Sequence, residues 1–240
     1  MINLIRGEFY KIKRSKYFVG IMFLWALLGV SISYIIIKEA NAHRTVSGIN
    51  AVVFFLQFQI LINFLYAAFA GVFVASDFEH NTINMTFTYG YSRSKVILSK
   101  IIVYIIYSLF MELVTVVIMG IIFSAVYGFN DFGEINLGLY LIRIIFIELL
   151  CSIATTLIIA AVSVISKSII VTLASPVVMF IPMLLNNEHI FAFLPYRAAT
   201  IGIAPFAPKN AIIISVVSAL VTIFVITMVL RKYLSKLDIK

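Results

Sequence analysis

The sequence predicts an all-α integral membrane protein. It should have six transmembrane helices, an N-terminal amphipathic helix at the interface, a capped cytoplasmic helix between spans two and three, and a re-entrant outer segment between spans five and six. Three observations predict this class. Hydrophobic residues make up 63% of the 240 residues and charged ones only 12%, where soluble domains carry about a quarter charged; the mean hydropathy is +1.12. Apolar runs of about twenty residues recur, the length a helix needs to cross a hydrocarbon core of about 30 Å. The basic residues concentrate in alternate polar segments, as the positive-inside rule requires. With no linker or low-complexity run, residues 1–240 read as a single transmembrane domain.

Residues 1–16 precede the first span. Ile2, Ile5, Phe9 and Ile12 recur at helical spacing among Arg6, Lys11, Lys13, Arg14 and Lys16, the pattern of a basic helix lying in the interface plane against anionic lipid. A signal peptide with a cleavage site at Ala40-Asn41-Ala42 is the rival reading. Its apolar region would run to about 7–15 residues, and Tyr17–Ile37 is longer. The six predicted spans are Tyr17–Ile37, Ala51–Ala75, Val96–Tyr127, Leu137–Ile165, Ile169–Leu185 and Ala211–Leu230. The third overshoots one crossing at about 1.5 Å per residue, so its first turns are expected to stand in the cytoplasm. The fifth carries Pro176 and Pro182, which predicts a kink or a break.

Between spans two and three lies the longest polar interruption. Ser76-Asp77-Phe78-Glu79 has the Ser-x-x-Glu form of a capping box, so a new helix is expected to start there. Asp77 and Glu79 place negative charge at its positive end. Ser92-Arg93-Ser94-Lys95 and Lys100 suit a membrane surface. Asn186–Asn210 is apolar but interrupted by Pro195, Pro205 and Pro208. It is expected to form one or two short helices that dip into the outer leaflet and fold back.

Orientation follows from Lys and Arg. With the N-terminus inside, the cytoplasmic segments hold five in residues 1–16, three in 76–100, Lys167 and four in 231–240, against Lys38, Arg44, Arg197 and Lys209 outside. Both termini are expected in the cytoplasm. The same rule accounts for the net charge of +8 without nucleic acid. Cys151 is the only cysteine, so no intrachain disulfide is possible.

Motifs for catalysis within the chain are lacking. No Gly-Lys pair occurs, hence no P-loop. His43, His80 and His189 sit in separate loops without a His-Glu-x-x-His, and no Gly-x-Ser-x-Gly is present. No catalytic, cofactor or metal residue is therefore assigned. Glu112, Arg143 and Glu148 do fall inside apolar runs, where a charge at the centre costs about 2.5–3.5 kcal/mol on insertion scales. Arg143, about 9 Å from the outer end of its span, is expected to snorkel outward. Glu112 and Glu148 fall near mid-depth. They read either as part of a substrate or proton path or as structural groups tying helices together. Phe55 and Phe58 in the second span are candidates to line such a path, and packing is the other use of aromatics in these helices.

Phe78-Glu79, Thr82, Tyr89-Gly90-Tyr91-Ser92-Arg93 and Lys100 together resemble the Glu…Gly-Thr…Ser-Arg…Lys signature of ABC-2 type transporter permeases. Asn81 stands where that pattern has Gly. Glu8-Phe9-Tyr10-Lys11-Ile12-Lys13-Arg14 is similar to the family's connecting helix ahead of span one. The resemblance implies a coupling helix in residues 76–95, with Asp77, Phe78, Glu79, Thr82 and Arg93 engaging a cytoplasmic P-loop ATPase. It also implies a dimer with a second permease copy, and ATP and Mg held by the partner rather than by this chain.

The reading that follows is the permease subunit of a bacterial exporter, in the cell membrane, moving an amphipathic peptide or peptide antibiotic. Two alternatives differ in kind. One is an ion-coupled secondary transporter using Glu112 and Glu148; the other is a non-transporting immunity protein that sequesters a peptide at residues 186–210.

Overall fold

A computed structural model describes residues 1–43, 47–83, 90–129, 136–184 and 193–238. Those residues are helical and contain no strand. The elements are α1 (Ile2–Arg14), α2 (Lys16–His43), α3 (Gly48–Gln57), α4 (Gln59–Ala70), a π-helical turn (Gly71–Ala75) running into α5 (Ser76–Glu79), α6 (Arg93–Tyr127), α7 (Leu137–Ser166), α8 (Ile169–Leu184), α9 (Pro195–Gly202) and α10 (Lys209–Asp238).

Among the described residues, five stretches are long and apolar enough to cross a membrane: Lys16–Lys38, Leu61–Glu79, Arg93–Tyr127, Leu137–Ser166 and Lys209–Lys236. The predicted fifth span corresponds to α8, whose 16 residues reach only about 24 Å at helical rise. Its helix runs through Pro176 without the expected break. The predicted third span is one unbroken helix of 35 residues, about 52 Å long, so the expected overhang beyond a single crossing is present. The predicted second span differs. It starts earlier, where the Ser47 hydroxyl accepts from the Asn50 N–H, and is interrupted at Phe58, whose ψ of 29° lies outside the helical range.

The largest correction concerns Ser76. It does not cap a new helix: its φ of −57° and ψ of −37° are helical, and its hydroxyl donates to the Val72 carbonyl one turn back. A Ser hydroxyl satisfied by the preceding turn no longer competes for the N-cap role. The backbone therefore continues from α4 through the π turn into α5, and the turn that holds Asp77 and Glu79 is the tail of the second span. After it, Asn81 takes a φ of 56°, the left-handed region that Asn tolerates better than most residues. This is how Asn serves where the family pattern has Gly. Residues 84–89, in the middle of the expected coupling helix, and 186–192, in the outer segment, lie outside the described residues, as does Arg44.

At the centre of the packing stands α7, which touches α4, α6, α8, α9 and α10. By contrast, α2 and α10 flank the bundle and expose much of their apolar surface. The amphipathic α1 packs on α6 rather than lying wholly free. Ile12 is fully buried, Ile5 and Phe9 rest on the core, and Ile2 alone of the predicted stripe is exposed. Aromatic contacts seat α1 and the start of α2: Phe9 on Tyr107 at 5.3 Å, Phe18 on Tyr107 at 5.2 Å and Phe18 on Phe69 at 5.8 Å between ring centroids.

The described part of the outer segment is fixed by polar contacts. Pro195 opens α9, where its missing N–H costs nothing. Arg143 does not snorkel freely: its guanidinium donates to the Ala204 and Pro205 carbonyls at 2.6 and 3.2 Å and stacks over Tyr140. Tyr140 donates to the Ile203 carbonyl at 3.1 Å. An arginine at this depth finds its partners in the carbonyls following α9, which spares it the reach to water.

Candidate functional site

Where α1, α5 and the first turns of α6 meet, two acids and two lysines form one cluster. Glu8 arrives on the buried face of α1 and Lys100 on the buried face of α6, at 6% and 1% exposure. The Lys100 ammonium pairs closely with Asp77, lies 3.2 Å from the Glu8 carboxylate, and donates to the Phe73 carbonyl at 2.9 Å. It also sits 4.4 Å from the centre of the Phe73 ring. Lys11, half-exposed at the rim, bonds Glu8 at 3.1 Å and lies 3.6 Å from Asp77. A buried ammonium is strongly disfavoured unless it is paired and its protons are used, and here carboxylates and a main-chain carbonyl do both. Burial lowers the affinity of Lys11 for its proton, but Glu8 and Asp77 outweigh it and hold the group above its ordinary 10.5.

The Phe73 carbonyl comes from the π turn, a distortion that often marks functional positions in helices. Asp77 is held from its other side by the Thr82 hydroxyl, at 2.9 Å. Two residues on, the Glu79 carboxylate accepts from the Ile169 N–H at 2.8 Å. It thus supplies an acceptor, and a negative charge, to the N-terminus of α8. The short stretch Asp77–Glu79 is in this way tied to α1, α6 and α8 at once.

The structure therefore gathers part of the predicted set. Asp77 and Thr82 join the cluster and Glu79 turns to α8. Phe78 is half-buried against the core, and Arg93 opens α6. Sequence reasoning placed Lys100 at the membrane surface; it is instead the most buried charge of the cluster. Glu8 was passed over as part of a basic helix. The signal was present, since Glu8 falls between Ile5 and Ile12 on the apolar stripe.

A second polar group lies farther along the bundle. The Tyr66 hydroxyl of α4 donates to Glu112 of α6 at 2.6 Å, and Ser152 donates to Glu148 of α7 at 3.1 Å. The two carboxyl groups are neighbours, and both lie near Ser152. All four residues are buried. Twelve residues of α6 separate Glu112 from Lys100, about 18 Å at helical rise. Both carboxyls also line a cleft of about 200 Å³ between α3, α6 and α7. Phe55 and Phe58 do not line it. Phe55 is fully buried in the core, and Phe58 packs on Phe54 at the break between α3 and α4.

A family model described as ABC-2 family transporter protein matches residues 4–186. The chain belongs to the ABC-2 transporter family. The matched stretch runs from α1 past the end of α8, so the charge cluster and the carboxyl pair both fall inside it. ABC-2 permeases are generally non-catalytic membrane subunits, and membership implies a membrane setting and a partner ATPase. No curated protein and no solved structure matches the chain.

Proposed function

We propose that the chain is the permease subunit of a bacterial ABC exporter that moves an amphipathic peptide or peptide antibiotic across the cell membrane. It works as a dimer with a second permease copy, both termini face the cytoplasm, and α8 serves as the remaining span. A separate cytoplasmic P-loop ATPase binds ATP and Mg and hydrolyses the nucleotide. The observation that carries this reading is the cluster of Glu8, Lys11, Asp77 and Lys100, with Glu79 on the start of α8. A push delivered to residues 76–95 by ATPase closure would reach α1, α6 and α8 through short polar contacts instead of dissipating in a loop. Because α6 is a single helix, displacement of its Lys100 end would be transmitted to Glu112.

The roles follow from position. Asp77 and Thr82 link the segment to the two lysines, Glu79 holds α8, and Phe78 wedges the turn against the core. Arg93, at the head of α6, would face the ATPase. Replacing Glu79 with Ala should leave insertion and ATPase binding intact while hydrolysis continues without export. Normal export by that variant would remove the coupling role of Glu79.

The nearness of Glu112 and Glu148, which line one cleft, favours a second reading, an ion-coupled carrier. That reading requires transport driven by a pH gradient with no ATP present, which the exporter reading forbids.

A further inference from the structure

We propose that the cleft between α3, α6 and α7 binds a cationic amphiphile, its alkyl chain lying in the cleft and its ammonium or guanidinium group resting on the Glu112–Glu148 pair. The inference rests on the permease reading only for its use in transport, because binding is a property of this chain alone.

The cleft's walls include Ile49 and Val52 of α3, Leu109 and Leu113 of α6 and Ile145 of α7. Among the described residues that line it, Glu112 and Glu148 are the only polar ones. At about 200 Å³ it exceeds the roughly 150 Å³ of a dry apolar cavity that holds a benzene ring, so one short alkyl chain fits. Leu113 and Ile145 are each more than half exposed, which opens the cleft sideways between α6 and α7. A ligand already dissolved among lipid chains could enter from there.

Charge selects the class. Two carboxyl groups lining one apolar cleft cannot both ionise without repelling each other, so the pair presents at most a single negative charge, the complement of a monocation. An anionic amphiphile would meet like charge, and a neutral one would forgo the charge-assisted hydrogen bond that a monocation gains. Among the described residues that line the cleft, none is basic. Arg143, five residues from Glu148, is occupied at the Ala204 and Pro205 carbonyls. Tyr66 and Ser152 hold the carboxyls in place from the sides, so the site is built before the ligand arrives.

The test uses the purified full chain in phosphatidylcholine nanodiscs without any ATPase, labelled with octylamine or octanol bearing the same diazirine and mapped by peptide mass spectrometry. The amine should label cleft residues about tenfold more than the alcohol, the factor expected of one charge-assisted hydrogen bond. The double variant Glu112→Gln/Glu148→Gln should bring amine labelling down to the level of the alcohol, whose own labelling stays unchanged and so reports an intact cleft. Leu113→Trp, which leaves both carboxyls and fills the opening, should reduce both probes. Equal labelling by amine and alcohol overturns the proposal and makes the cleft a lipid groove. Amine labelling that survives the double variant overturns it as well, as does protection of the cleft by a second copy of the chain. None of these results depends on transport, so the site can fail while the permease reading stands, and the reverse.

Discussion

Replacing Lys100 with Met removes the cation at the centre of the cluster and leaves an apolar chain of similar length. Lys100 is 1% exposed and faces Asp77, Glu8 and the Phe73 carbonyl. Breaking a buried ion pair from one side typically costs about 3–5 kcal/mol, because the remaining charge stays buried and unpaired. Lys11 remains beside both acids, 3.1 Å from Glu8 and 3.6 Å from Asp77, but it is half-exposed and screened by water, so the loss should fall near the lower end, about 3 kcal/mol. For a chain of this size about 1 kcal/mol shifts the melting temperature by about 2–4 °C, giving a drop of about 6–12 °C. Trp25, the only tryptophan, is buried against Tyr66 at 5.5 Å, and its fluorescence in mild detergent reports the transition. Adding Asp77→Asn should restore part of the loss, since the stranded charge is then gone while the Thr82 hydroxyl keeps an amide oxygen to donate to. A melting temperature within about 2 °C of the wild type, or a double variant that is simply the sum of its parts, would refute the pairing.

Two further perturbations test the other polar ties. Arg143→Met deprives the Ala204 and Pro205 carbonyls of their charged donor, a loss of about 1.5–3 kcal/mol for such bonds. Hydrogen exchange across residues 198–206 should accelerate, and unchanged exchange would show that the guanidinium does not hold this segment. Gly202→Ala would drive a methyl group into the Ser215 hydroxyl, an overpacking worth about 1–3 kcal/mol. The second change Ser215→Ala should recover much of that stability, although alone it forfeits bonds to the Ala198 and Ala211 carbonyls. If Ser215→Ala fails to rescue, the two residues are not in contact.

The membrane class and most of the helices were legible because hydropathy and length report directly on the solvent a segment requires. The charge cluster was not legible, for reasons that differ by residue. Ser76 and Glu79 carry the spacing of a capping box, but whether a Ser caps depends on whether the backbone before it is already helical. Here the apolar run through Gly71–Ala75 carries the helix past it. Lys100 sits where a membrane-surface lysine would sit, and only the arrival of Glu8 from α1 and Asp77 from α5 allows its burial. Glu8 was readable in principle as an acid on an apolar stripe. Glu112 and Glu148 were each visible as carboxyls at mid-depth, whereas their proximity depends on the rotation of α6 against α7, which no local pattern encodes. Phe55 and Phe58 could be read from composition either as path or as packing residues; Phe55 is fully buried, and Phe58 packs on Phe54 at the break between α3 and α4.

The proposed function requires above all that a separate ATPase drive this permease through its α5 segment. The most direct measurement is affinity purification of the full chain from its native host in mild detergent, with every stoichiometric companion identified. A P-loop ATPase should emerge at one copy per permease chain, cross-linkable to residues within 76–95. A chain that emerges without any ATPase, and that transports when only a pH gradient is applied, would contradict the proposed function.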